Sequence, residues 1–103
     1  MARKEFATLT PQMFYILLAL YEPRHGYDVM QAVHEMTDGE VQIGAGTLYA
    51  LLPRFLEDGY IALVGETDRK KIYQITPYGR EKLAEERRRM EKMLEHSRKA
   101  VGR

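Results

Sequence analysis

Residues 58–77 read DGYIALVGETDRKKIYQITP, and the alternation of apolar and polar residues within them decides the fold. Asp58-Gly59 ends a helix, because glycine takes the left-handed conformation that closes a helix C-terminus. Beyond it the period turns from helical to alternating. Tyr60–Glu66 and Lys71–Ile75 read as two short strands, with Thr67-Asp68-Arg69-Lys70 as the turn of a hairpin. Thr76-Pro77 then opens a new helix: threonine accepts backbone donors as a cap, and proline in the first turn forgoes only an N–H without an intrahelical partner.

Working upstream, Leu48, Leu51, Leu52, Phe55 and Leu56 form the apolar face of a helix that starts near Ala45. A short β-like stretch, Glu40–Ile43, precedes Gly44. Before it, Val29, Met30, Val33 and Met36 place one face of a helix over Tyr27–Met36, ended by Thr37-Asp38-Gly39. A second Thr-Pro pair, Thr10-Pro11, starts a helix to about Tyr21 that is apolar on nearly every side and so faces both its own domain and something else. Downstream of Thr76 a single helix of roughly 24 residues, ~36 Å long, reaches about Ala100. The expected fold is mainly α with a two-stranded β-wing: a winged helix-turn-helix domain over residues 1–79 and a long C-terminal helix over 80–103, forming one compact unit. In this arrangement the third helix enters the DNA major groove and the hairpin lies along the flanking backbone.

A chain of 103 residues is one domain, and its 45% hydrophobic and 30% charged residues exclude disorder. The longest apolar run, Met13–Tyr21, is about half the ~20 residues a membrane span needs, and the N-terminus lacks a signal-peptide pattern. The chain is therefore expected to be soluble and cytoplasmic, without a membrane partner. Cysteine is absent, which removes disulfides and thiol chemistry. There is no Asn, Ser97 is the sole Ser, and the three His have no metal-ligand spacing. Adjacent acids such as Glu85 and Glu86 point apart on a helix rather than across a cleft. Neither an enzyme, a cofactor nor a metal is expected.

Gly44-Ala45-Gly46-Thr47-Leu48-Tyr49 opens the third helix. Small residues in its first turn leave backbone N–H groups uncovered for a phosphate, and Thr47 and Tyr49 set hydroxyls where a recognition helix meets DNA. The bland alternative is that the glycines serve close packing and Tyr49 is core. Tyr27 is balanced in the same way between a phosphate contact and a core position. Arg69, Lys70 and Lys71 at the hairpin tip are placed to neutralise phosphates. Arg24, His25, Arg3 and Lys4 are weaker candidates. Without Asn, adenine readout falls to Gln, and Gln42 lies near the recognition helix.

The formal net charge of +1 conceals a division. Residues 80–103 hold nine Lys/Arg against five Asp/Glu, whereas residues 1–79 hold seven against ten. An acidic DNA-binding module requires its cations to cluster. Failing that, a dimeric winged-helix adaptor that binds protein rather than DNA is the alternative. In the last helix, heptad positions counted from Leu83 fall on Leu83, Glu86, Met90, Met93, Ser97 and Ala100, an interrupted stripe. A helix so polar gains stability only by packing, and a second copy of the chain is the economical partner; the bland alternative is a helix folded back on its own domain. Phe14, Leu17, Leu83, Met90, Met93 and Leu94 are the expected dimer residues. Phe6, Phe14, Tyr15, Met90 and Met93 line either a soft pocket for a small hydrophobic effector or plain dimer core.

In order along the chain stand His25-Gly26-Tyr27-Asp28, Gly46-Thr47-Leu48-Tyr49, Leu56-Glu57-Asp58-Gly59-Tyr60-Ile61 and the run Arg69–Gly79. With these motifs the chain resembles the PadR-like family of bacterial transcriptional regulators, in its short members with a single C-terminal helix. The resemblance covers about Leu9 to Gly79, and the last helix by architecture only. It implies a homodimeric repressor on a pseudo-palindromic operator with half-sites ~34 Å apart. It also implies dimerisation through the N- and C-terminal helices, and release of DNA on binding a small molecule. Tyr27, Thr47 and Tyr49 match DNA-facing residues of the family; Arg69, Lys70 and Lys71 match its basic wing. Two departures stand out. Pro53, inside the recognition helix, is expected to kink it after its DNA-facing half. Trp is absent, which removes Trp stacking on a planar effector.

Overall fold

The structure, a computed structural model, describes residues 8–102. Four helices and one small sheet follow in the order α1 (Pro11–Ala19), β1 (Arg24–His25), α2 (Gly26–Met36), α3 (Ala45–Glu57), β2 (Ile61–Thr67), β3 (Lys70–Ile75) and α4 (Pro77–Val101). Both Thr-Pro pairs act as the sequence suggests. Thr10 Oγ1 accepts from the Met13 N–H at 3.2 Å, and Thr76 Oγ1 accepts from the Gly79 N–H at 3.0 Å while donating to the Gly59 carbonyl at 2.6 Å. No helix among the described residues is long and apolar enough to cross a membrane.

α1 stops at Ala19, two residues before the expected Tyr21. Leu20 closes its last turn and then accepts from the Ile75 N–H at 2.8 Å, so the end of α1 is diverted onto the sheet. α2 turns its buried face through Gly26, Val29, Ala32 and Val33, leaving Met36 exposed instead of buried as the periodicity suggested. Small residues carry this face because α3 lies close: a Cβ on Gly26 would come within 3.2 Å of Leu52 and 3.3 Å of Tyr49. The stretch Glu40–Ile43 is a loop, not a strand. It is held by Thr37, whose hydroxyl accepts from the Val41 N–H at 3.0 Å and donates to the Val33 carbonyl at 2.9 Å, and it drops Ile43 into the core.

α3 buries Leu48, Leu52 and Phe55 and stays helical from Ala45 to Glu57, through Pro53, with no break at the proline. Gly59, at φ +81°, turns the chain into β2, and the Tyr60 N–H reaches back to the Phe55 carbonyl at 2.9 Å. β2 and β3 form the expected hairpin, closed tightly by Asp68 and Arg69, both in the left-handed region. The register slips between Leu63 and Gly65, which places a bulge at Val64. The sheet has three strands in the order β1-β3-β2, where a two-stranded wing was expected. β1 is two residues long, too short for any alternation to be read, and pairs along the second edge of β3.

Leu20, Val29, Val33, Leu48, Leu52, Phe55, Tyr60 and Leu83 meet in one core. Gly79 lets α4 reach it: a Cβ there would collide with the Tyr60 carbonyl and stand 2.7 Å from Ile75. Leu83 and Glu86 are buried, so α4 crosses the boundary between residues 79 and 80 as part of the same core; from Met90 to Gly102 every residue is exposed.

Candidate nucleic-acid interface

The N-terminus of α2, the first turns of α3 and the hairpin tip converge on an open cleft of about 370 Å³. It is lined by His25, Gly26, Tyr27, Tyr49, Arg69, Lys70, Lys71 and Tyr73. Five of these, Tyr27, Tyr49, Arg69, Lys70 and Lys71, are residues the sequence nominates for DNA. Three cations and the exposed Tyr27 and Tyr49 face one opening, and among the described residues no acid lines it. Two acids of the same hairpin stand close by: Glu66 pairs with Lys71, and Asp68 shares the turn with Arg69.

Exposure decides the balanced readings. Tyr27 is 67% exposed and Tyr49 51%, so neither is a core tyrosine. A Cβ on Gly44 or Gly46 would meet nothing within 4 Å, so these glycines do not serve packing. They lie uncovered at the start of α3 with Ala45. Thr47, one residue on, is half-buried and lines neither this cleft nor the next one.

Gln42 belongs to a neighbouring groove of about 250 Å³, joined to the first through Tyr27 and also lined by Met30, Gln31, His34 and Ile43. Gln31 and His34 were not singled out from sequence, although with Tyr27 they follow the spacing of one helical stripe. Arg24 and His25 had looked alike, and the structure separates them. Arg24 Nε donates to the Ala19 carbonyl at 2.7 Å and so holds the end of α1. His25 lines the cleft, with Nε2 3.0 Å from Thr67 Oγ1. Arg3, Lys4 and Phe6 lie outside the described residues.

The residues nominated for a dimer divide. Leu17 and Leu83 are fully buried within the chain's own core, so they are not available to a second copy, a correction to the reading of α1 for Leu17 and of the heptad stripe for Leu83. That reading could not show which end of the stripe its own domain would consume. Leu94 is exposed on the free half of α4. Phe14, Tyr15, Met90 and Met93 do come together, with Leu9, Pro11, Glu86 and Arg89, around a second cavity of about 370 Å³ between α1 and α4.

Glu86 is 2% exposed, the one buried charged residue among those described. Its Oε1 accepts from the Leu9 N–H at 2.8 Å and from Arg89 at 2.9 Å. Burial pushes its carboxyl up, but the hydrogen bonds from Arg89 and Leu9 and the charges of Arg89 and Lys82 outweigh that and hold it below its ordinary value. Arg89 is correspondingly held above its own by the hydrogen bond to Glu86. From sequence, Glu86 was only a polar fault in a heptad, because its backbone partner is 77 residues away.

Three helices, a hairpin wing and a basic cleft where α3 meets the wing define a winged-helix transcriptional regulator. The chain belongs to the PadR-like family of transcriptional regulators, whose family model matches residues 15–85. An uncharacterized protein of Lysinibacillus sphaericus is 32% identical over 72 residues, a match spanning 66% of this chain and 66% of that one. Among solved structures, a PadR-like transcription factor from Bacteroides fragilis superposes with a TM-score of 0.70 at 25% identity, covering 84% of this chain and 86% of its own. A transcriptional regulator from Clostridium thermocellum shares the fold, with a TM-score of 0.63 at 23% identity over 89% of each chain. PadR-like regulators bind DNA.

Proposed function

We propose that this regulator is a homodimeric repressor that binds a pseudo-palindromic operator in double-stranded DNA, with α3 in the major groove and the wing along the flanking backbone. The observation that carries the reading is the cleft that gathers Tyr27, Tyr49, Arg69, Lys70 and Lys71 with no acid among its lining. Each wing cation neutralises a phosphate, and the tyrosine hydroxyls donate to phosphate oxygens. Gly46 and Thr47 stand where base edges approach the start of α3, and Gln42 is the donor–acceptor suited to adenine.

Residues 1–79 supply the DNA-binding module and residues 80–103 the dimer helix, whose exposed Met90, Met93 and Leu94, with Phe14 of α1, meet the second copy. The cavity with Phe14, Tyr15, Met90 and Met93 suits a small hydrophobic effector that releases DNA. The regulator works in the cytoplasm, without catalysis and without a cofactor. Fluorescence anisotropy of a duplex from upstream of its own gene, titrated at several salt concentrations, tests the reading. Affinity should fall steeply and linearly in log–log form as salt rises; flat or absent binding overturns it.

A further inference from the structure

The wing has to hold its cations at a set distance from α3, yet a two-stranded ribbon with an exposed tip is a weak support on its own. One contact fastens that tip to the rest of the domain. His25 is the N-cap residue of α2 and its side chain accepts no capping bond; its ring instead reaches Thr67 on β2, Nε2 to Oγ1 at 3.0 Å. In register, His25 and Gly65 flank Ile72 from opposite sides, so all three share a face of the sheet, and Thr67 follows two residues after Gly65 on that same face. Nδ1 of His25 is buried without a partner. The ring's polar contact with the protein is therefore the one that Nε2 makes with Thr67.

Thr67 immediately precedes the turn of Asp68 and Arg69, and it pairs with Lys70. With both turn residues confined to the left-handed region, holding Thr67 also sets the direction of Arg69, Lys70 and Lys71. We infer that the His25–Thr67 hydrogen bond is a wing clamp, and that both are positioning residues. They present the three wing cations to DNA phosphates at a fixed distance from Tyr27, which lies two residues beyond His25. The inference rests on the DNA-binding reading above.

The test exploits the fact that Thr67→Val removes no charge. In the salt titration on the upstream duplex, Thr67→Val should lower affinity about fivefold, the size of one exposed hydrogen bond. It should also lower the slope of log affinity against log salt by about one, as if a phosphate contact had been deleted. His25→Leu should do the same, and the His25→Leu/Thr67→Val double variant should be no worse than either single one. Thr67→Ser, which keeps the hydroxyl, should restore the wild-type slope, and the unfolding midpoints of the other variants should fall by no more than about 4–8 °C, the loss of one hydrogen bond. If the wild-type protein binds with a steep slope and the variants match it, the clamp is overturned while the DNA reading stands. If the wild-type protein itself shows no salt-dependent binding, both fall together. An affinity loss in Thr67→Val and His25→Leu with the slope unchanged also overturns the clamp, because the cations would then still be in place.

Discussion

The cleft beside the wing and the cavity between α1 and α4 are equal in volume, each about 370 Å³, and opposite in chemistry. The first is rimmed by three cations and by the exposed Tyr27 and Tyr49, with His25 and the core residue Tyr73 also in its lining. The second is an apolar pocket built over a buried carboxylate that needs both Leu9 and Arg89 to be tolerable. Removing a wing cation or the hydroxyl of Tyr27 or Tyr49 should therefore cost binding and leave folding untouched. Removing Glu86 should cost folding first.

The largest effect should come from replacing Arg69, Lys70 and Lys71 together by Ala. The salt slope should fall by about three and the affinity by about a hundredfold, alike for all sequences, at an unchanged unfolding temperature. A loss of stability in that variant would break the contrast. Next, Glu86→Ala strands the Leu9 N–H and should cost about 1–3 kcal/mol in denaturant unfolding. Because the folded-state carboxyl of Glu86 is held below its ordinary value, its contribution is present at neutral pH. That contribution is lost as pH falls through and below the ordinary carboxylate range. Unfolding measured against pH should show this decline in the wild-type protein and a flatter acid limb in Glu86→Gln.

A third substitution, Leu94→Glu on the free half of α4, should weaken self-association about tenfold in sedimentation equilibrium without lowering helicity. An unchanged association constant would remove Leu94 from the dimer face. The smallest effect should be that of Tyr49→Phe, which deletes one exposed hydroxyl. A loss of about threefold to fivefold in DNA affinity is expected, with no change in oligomeric state or stability.

Much of this architecture was legible in the chain. The Thr-Pro pairs at residues 10–11 and 76–77, the alternation after Gly59 and the leucines of α3 mark elements whose causes lie within a few residues of each other. The wing cations, Tyr27 and Tyr49 were legible as candidates as well, because their positions follow from the element that carries each one; Tyr73, the third tyrosine of the cleft, was not. Other features were not. β1 exists because β3 offers it an edge, and Glu40–Ile43 is a loop held by the bond of Thr37 to Val41. Met36 has the spacing of a core residue but lies beyond the reach of α3 and the sheet, while Gly26 and Ala32 allow the close approach in its stead.

Local chemistry thus determined where helices start and stop, where the hairpin turns, and which residues carry the positive charge, since caps, periodicity and turn residues act over distances of a few peptide units. Tertiary structure alone decided which charges are buried, which leucines are spent inside the protomer, and what holds the wing. Glu86 is tolerable in a core because Leu9 supplies a donor, Leu83 is lost to any partner because Gly79 lets α4 sink against Tyr60, and His25 meets Thr67 only across a folded sheet. Each of these pairings joins residues far apart in the chain, and the entropy of bringing them together is offset only once the whole core has formed.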